Sequence, residues 1–112
     1  MRTIDFSLKK QWFDQIRSGR KRVEYRDLSN AYYLNKFVNT GAYQNMGDSE
    51  IIDGLKKGKL KPKWREFTHA RFHCMGQTML VSVKGIDIEG NYYAIKLGNV
   101  LTGKKQQENV AE

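Results

Sequence analysis

The segment Gly19–Arg26, which reads Gly-Arg-Lys-Arg-Val-Glu-Tyr-Arg, contains the residues best suited by type and spacing to chemistry. Alternation along a strand would place Glu24 and Arg26 on one face, with Lys21 at the mouth of that strand. A carboxylate between lysine and arginine stays ionised and could accept hydrogen bonds from a base, while Lys21 or Arg26 could bind a phosphate. A structural ion pair between Glu24 and Arg26 fits the same spacing, so both interpretations stay open.

Other catalytic signatures are absent from the sequence. No glycine-rich phosphate loop and no Gly-x-Ser-x-Gly elbow occurs. His69 and His73 have the spacing of a metal pair on a helix, but they fall in a predicted strand beside a single cysteine, Cys74. Zinc needs three or four ligands. We therefore predict neither a metal site nor a cofactor, and one cysteine permits no internal disulfide.

The net charge of +8 favours a polyanionic partner, although solubility alone would also explain it. The basic residues form two clusters in the sequence: Arg17, Arg20, Lys21, Arg22 and Arg26, and Lys56, Lys57, Lys59, Lys61, Lys63 and Arg65. Trp64 lies inside the second cluster. A tryptophan among lysines and arginines is a candidate stacking platform for a nucleic-acid base.

Hydrophobic periodicity and turn residues divide the chain into elements. Strands are predicted at residues 3–8, 21–26, 67–75, 79–89 and 92–97, and helices at 8–18, from Asn30 to 37, and at 48–57. Residues 38–48 are predicted to form a loop. We expect Ser7 to cap the first helix and Gly19 to end it with a positive φ. The fold class is α+β, a small mixed, mostly antiparallel β-barrel of five to six strands with two or three flanking helices.

The length of 112 residues predicts one domain, which we place at residues 1–105, followed by a frayed tail at 106–112. No apolar run approaches the roughly 18 residues of a membrane span. The N-terminal residues lack the apolar core of a signal peptide. We therefore expect a cytoplasmic protein with no membrane partner.

Residues 7–26, a helix followed by Gly19, Lys21, Glu24 and Arg26, resemble an ASCH domain of the PUA-like superfamily, whose signature is Gly-x-Lys-x-x-Glu-x-Arg. The segments 70–72, 79–86 and 93–98 are similar to the second half of that domain. The likeness covers roughly residues 3–102. The resemblance implies a PUA-like barrel with a cleft lined by the motif, and RNA, a nucleotide or a modified nucleoside as ligand.

The resemblance also implies candidate site residues. For ligand binding these are Lys21, Glu24, Arg26, Trp64 and Arg71. Some similar proteins are enzymes, and one branch hydrolyses the acetyl amide of acetylated cytidine with a lysine, a threonine and a distant glutamate. Lys21 matches that lysine, but Glu24 stands in the place of the threonine. Others are ribonucleases, for which Lys21, Glu24, Tyr25 and Arg71 are the catalytic candidates.

Three functions remain open from the sequence. The first is a binding module for RNA or a nucleotide in the basic cleft. The second is a hydrolase that acts on RNA or on a modified nucleoside. The third is a protein-interaction domain whose basic segment 56–65 docks an acidic partner. The sequence does not decide whether the protein is an enzyme.

Overall fold

The computed structural model describes residues 2–103. Within them the fold is α+β, with three α-helices, one 3₁₀ turn and five strands. The elements in chain order are β1 Thr3–Ser7, α1 Lys10–Arg17, β2 Val23–Asp27, α2 Ala31–Phe37, the 3₁₀ turn Thr40–Ala42, α3 Asp48–Lys56, β3 His69–Cys74, β4 Gln77–Glu89 and β5 Tyr92–Thr102. The predicted tail at 106–112 lies outside the described residues.

The five strands form one mixed sheet in the order β1-β3-β4-β5-β2. β1 runs parallel to β3, and β3 runs antiparallel to β4. The two-residue turn between β3 and β4 has positive φ at both Met75 and Gly76, as a type I′ hairpin requires. The predicted α+β class with a mixed sheet is confirmed.

Contacts between Cα atoms group the described residues into two compact units. The first contains residues 2–24, 67–86 and 95–103, and the second contains residues 25–66 and 87–94. The core of the first unit includes Phe13 and Ile16 of α1, and Phe6 of β1, whose ring stacks on Phe72 at 5.3 Å. The alternation of apolar residues in β1 and the helical spacing in α1 therefore produce the buried faces they predicted.

The core of the second unit is built around Phe37 and Tyr93, whose ring centroids lie 5.0 Å apart, edge to face. α2 begins at Asn30, whose side chain accepts a hydrogen bond from Tyr32 N, so the predicted cap is confirmed. The predicted loop at 38–48 contains the 3₁₀ turn, and Val38 pairs with Trp64 in an isolated β-bridge.

Two element boundaries differ from the sequence prediction for local reasons. The N-cap of α1 is Lys9, with no side-chain cap, so the prediction that Ser7 caps this helix is wrong: Ser7 is the last residue of β1 and its strand continues to pair there with His73. β2 begins at Val23 rather than at Lys21, because the amides of Arg20 and Lys21 still bond to the end of α1. No helix within residues 2–103 is long and apolar enough to cross a membrane.

Candidate functional site

The position of Lys21 is set by the way α1 ends. Gly19 has a φ of +84°, which confirms the predicted left-handed residue after the helix. The turn lets the amides of Arg20 and Lys21 both donate to the carbonyl oxygen of Gln15, at 2.9 and 3.0 Å. Gly19 N donates to Ile16 O as well. The backbone on both sides of Gly19 is therefore fixed, and Lys21 is held at the junction of α1 and β2.

Glu24 is buried, with 6% of its surface exposed, and it is the one charged or polar residue in residues 2–103 that is buried to this degree. Lys21 Nζ lies 3.4 Å from Glu24 Oε1, an ion-pair distance longer than a short charge-assisted hydrogen bond. A buried carboxylate is costly unless it is paired. Lys21 therefore has a structural reason to be next to Glu24, besides any contact with a ligand.

Trp12 completes this cluster in the first unit. Lys21 Nζ lies 5.3 Å from the centroid of the Trp12 ring, within the range of a cation–π contact. The helical spacing of apolar residues placed Trp12 on the stripe of α1, yet the residue is 39% exposed. It is a site component that sequence reasoning missed. Its signal was a tryptophan next to Phe13, where the stripe of α1 needs only one of the two.

A pocket of about 160 Å³ lies beside Lys21 in the first unit. Three of its lining residues are basic, namely Arg17, Lys21 and Arg22, and Glu24 does not line it. Its remaining walls come from the end of α1, from β4 and from β5: Ile16, Ser18, Gly19, Val81, Leu97, Gly98, Asn99 and Val100. The pocket can attract an anion through its basic wall.

A second, shallower cavity of about 290 Å³ follows α1 and shares Arg17 and Ser18 with the pocket at Lys21. Its other lining residues are Lys10, Asp14 and Arg20. Asp14 pairs with Lys10 at 2.6 Å and with Arg17 at 2.9 Å, which neutralises part of this surface. The basic surface thus extends from the end of α1 along the helix.

Tyr25 and Arg26 of the motif belong to the second unit. Arg26 Nη1 donates to Tyr33 Oη at 2.8 Å, and its guanidinium carbon lies 5.4 Å from the Tyr33 ring centroid. Tyr25 is exposed and meets Tyr92 edge to face at 6.1 Å. Within this unit, Arg26 is positioned by a tyrosine and Tyr25 presents an aromatic surface.

Trp64 also belongs to the second unit, where it is half-buried. Its ring meets Tyr93 edge to face at 6.2 Å. The neighbouring backbone is tied down, because Tyr43 Oη accepts a bond from Lys63 N and donates one to Lys61 O. Burial raises the pKa of the Tyr43 hydroxyl. Part of the predicted stacking platform is thus occupied by packing inside its own unit.

Arg71 lies on β3, 3.6 Å from Asp5 of β1, and Asp5 also bonds to His73 Nε2 at 2.7 Å. The hydrogen bond from His73 is the main cause that lowers the pKa of Asp5, and the nearby charges of His73 and Arg71 lower it further. The sequence pointed to Arg71 as a site residue but not to its two neighbours. Asp5 and His73 are 68 residues apart in the chain, so no local pattern connects them.

No cluster of three or more metal-ligating side chains is found in the part of the chain that the structure describes. The chain matches no protein-family model, and no curated protein or solved structure matches it either.

Proposed function

We propose that this chain binds RNA or a nucleotide through the basic pocket at Lys21, and that it is an ASCH-like member of the PUA-like barrels. The observation that carries the proposal is the buried Glu24 paired with Lys21, beside a pocket with two further basic residues, Arg17 and Arg22. A protein seldom keeps a buried carboxylate without a structural or functional reason. The pocket gives Lys21 and its neighbours an anion to bind.

Each part of the surface suits a different part of a nucleotide. The guanidinium groups of Arg17 and Arg22 can bind phosphate oxygens in a fork. Trp12 leaves more than a third of its surface exposed next to Lys21, and an exposed indole can stack on a base. The net charge of +8 adds long-range attraction for a polyanion.

The test is a binding measurement with a fluorescent short oligouridine, in which the anisotropy gives the affinity. The double variant Lys21→Met/Glu24→Gln removes both charges of the buried pair at once, so that neither charge stays without the other. The matched control is Lys57→Met/Asp53→Asn, which removes an exposed pair at 3.0 Å on α3. Both double variants leave the net charge unchanged.

We expect the first double variant to weaken RNA binding about tenfold, as the loss of a charge-assisted contact does, and the control to leave it unchanged. Arg22→Gln should weaken binding without touching the pair. Equal affinities for the two double variants would contradict the proposal, as would an absence of binding by the wild type. Binding lost after nuclease treatment of an acidic protein complex would favour the proposal over a protein-interaction domain.

A further inference from the structure

Another pocket in the first unit lies at the turn between β3 and β4, and it shares no lining residue with the pocket at Lys21. Its volume is about 500 Å³, a size that suits a small polar metabolite. The residues that line it are Ser7, Leu8, His73, Cys74, Met75, Gly76, Gln77 and Thr78. No carboxylate is among them.

His73 is held in one orientation in this pocket. Its Nε2 lies 2.7 Å from Asp5 Oδ1, and Ser7 of β1 is its register partner. Because the pKa of Asp5 is lowered, the carboxylate is ionised and can only accept, so Nε2 carries the proton. The other ring nitrogen, Nδ1, has no hydrogen-bond partner within residues 2–103. A carboxylate on one side of an imidazole stabilises the protonated ring, in which Nδ1 donates.

The other polar side chains of the pocket are also donors. Gln77 Oε1 accepts a bond from Arg17 Nη1 at 3.2 Å, which leaves the amide N–H groups of Gln77 for a ligand. Thr78, the register partner of His73 on β4, contributes a hydroxyl. A pocket with several donors and no acceptor carboxylate suits an anion.

The charges that face His73 come from three elements. Asp5 lies on β1, and Arg71 lies on β3 with its side chain 42% exposed, 3.6 Å from Asp5. From α1, Arg17 reaches Gln77 next to the pocket. On β4 the residues opposite His73 and Arg71 are the uncharged Thr78 and Leu80. The single negative charge is thus offset by Arg71, and protonation of His73 makes the cluster positive.

We infer that the pocket at the β3–β4 turn is a second ligand site, which binds a phosphate monoester group through His73, Gln77 and Thr78. Protonated His73 donates to a phosphate oxygen, and the amide and hydroxyl donate to the others. The group could belong to a mononucleotide or to the 5′ end of an RNA chain. Both present the same dianionic phosphate, so the experiment must distinguish the two sources.

The experiment follows the imidazole signals of ¹⁵N-histidine-labelled protein during titration with uridine 5′-monophosphate at pH 6. We expect the His73 signals to shift and saturate, while uridine without phosphate has no effect. The matched control is His69, on the same strand, which bonds to Thr68 Oγ1 and does not line the pocket. Its signals should not change. Imidazoles lose their proton between pH 5 and 8, so the affinity should fall about tenfold from pH 6 to pH 8.

His73→Gln should abolish saturable binding, whereas His69→Gln should preserve it. The double variant Lys21→Met/Glu24→Gln should also preserve it, so a failure at Lys21 and a failure here can be told apart. A 5′-phosphorylated oligouridine that binds more tightly than both its 5′-hydroxyl form and the mononucleotide would identify an RNA end as the ligand, and equal binding of the mononucleotide would identify a free nucleotide. Equal shifts of His69 and His73, or an unchanged affinity in His73→Gln, would overturn the inference.

Discussion

Among single residues, the buried pair of Lys21 and Glu24 is the feature with the largest energetic consequence. The side chain of Glu24 is almost inaccessible, and that of Lys21 is 19% exposed. Removal of one partner from a buried pair leaves an uncompensated charge, which costs more than removal of both. The pair therefore serves the stability of the first unit whether or not a ligand is bound.

We predict that Lys21→Met lowers the free energy of unfolding by about 2–3 kcal/mol, because it removes the cation that faces the buried Glu24 carboxylate. The double variant Lys21→Met/Glu24→Gln should recover at least half of that loss. Urea denaturation of the wild type, the two single variants and the double variant gives the coupling energy. The exposed pair Lys57–Asp53 should couple by no more than about 0.5 kcal/mol. A coupling at Lys21–Glu24 as small as that would show that the pair is not structurally important.

Asp5 predicts a pH dependence of stability. Its pKa is lowered from 3.8 by the hydrogen bond from His73, so the folded state binds a proton less readily than the unfolded state. Its contribution is then fully present above about pH 4 and is lost as the pH falls through the lowered folded pKa. Because Asp5 is exposed to solvent, we expect a contribution below about 1 kcal/mol.

The measurement is the difference in the free energy of unfolding between the wild type and Asp5→Asn, from pH 2 to pH 6. The difference should be constant at the upper end and should shrink towards zero at the lower end. A difference that grows as the pH falls would contradict the assigned direction.

Among the helices and strands, α3 shows how a contact decides the choice of residue within an element. Gly54 lies inside α3 and is buried, although glycine is a poor helix former. A Cβ atom at this position would lie 2.6 Å from both Cγ and Cδ1 of Leu60. Leu60 is held there, because its amide donates to Gly54 O. The close approach of Leu60 explains the glycine.

We therefore predict that Gly54→Ala destabilises the protein by about 1 kcal/mol, although alanine is favoured over glycine by a similar amount in an open helix. The double variant Gly54→Ala/Leu60→Ala, which removes the clash, should lose less stability than the sum of the two single variants. Thermal unfolding of the four proteins measures this. A stabilised Gly54→Ala would show that Leu60 moves aside at little cost.

Across the whole molecule, the excess of positive charge governs how the protein meets a polyanion. Basic residues occur in both units, with Arg17, Arg20, Lys21 and Arg22 in the first and most of the segment 56–65 in the second. Neutralised phosphates release counterions, so the affinity for a nucleic acid falls as the salt concentration rises.

We predict a linear fall of log affinity for single-stranded RNA with log salt concentration. Each lost phosphate contact should reduce the slope by about 0.7. Arg22→Gln, which removes a residue of the pocket, should show this smaller slope, whereas Lys59→Gln tests whether the second cluster takes part. Anisotropy titrations at several salt concentrations provide the slopes. An affinity that does not depend on salt would exclude phosphate binding by the basic surface.

Most of the elements and their ends follow from local signals in the amino-acid sequence. Apolar periodicity predicted α1, the strands and α3, because the spacing of apolar side chains directly reflects which face of an element is buried. Gly19 and Asn30 predicted a helix end and a helix start, since positive φ and capping are properties of one or two residues. The residue types and spacing of the motif were also sufficient to single out Lys21 and Glu24.

The meeting of distant residues, in contrast, depends on the tertiary fold. The parallel pairing of β1 with β3 places Asp5 beside Arg71 and His73, and the register of that pairing cannot be read from either strand alone. The burial of Glu24 and the exposure of Trp12 likewise depend on what packs against each element. Periodicity reports that a face is apolar, but long-range contacts choose the partner that covers it, and those contacts create the pockets of the first unit.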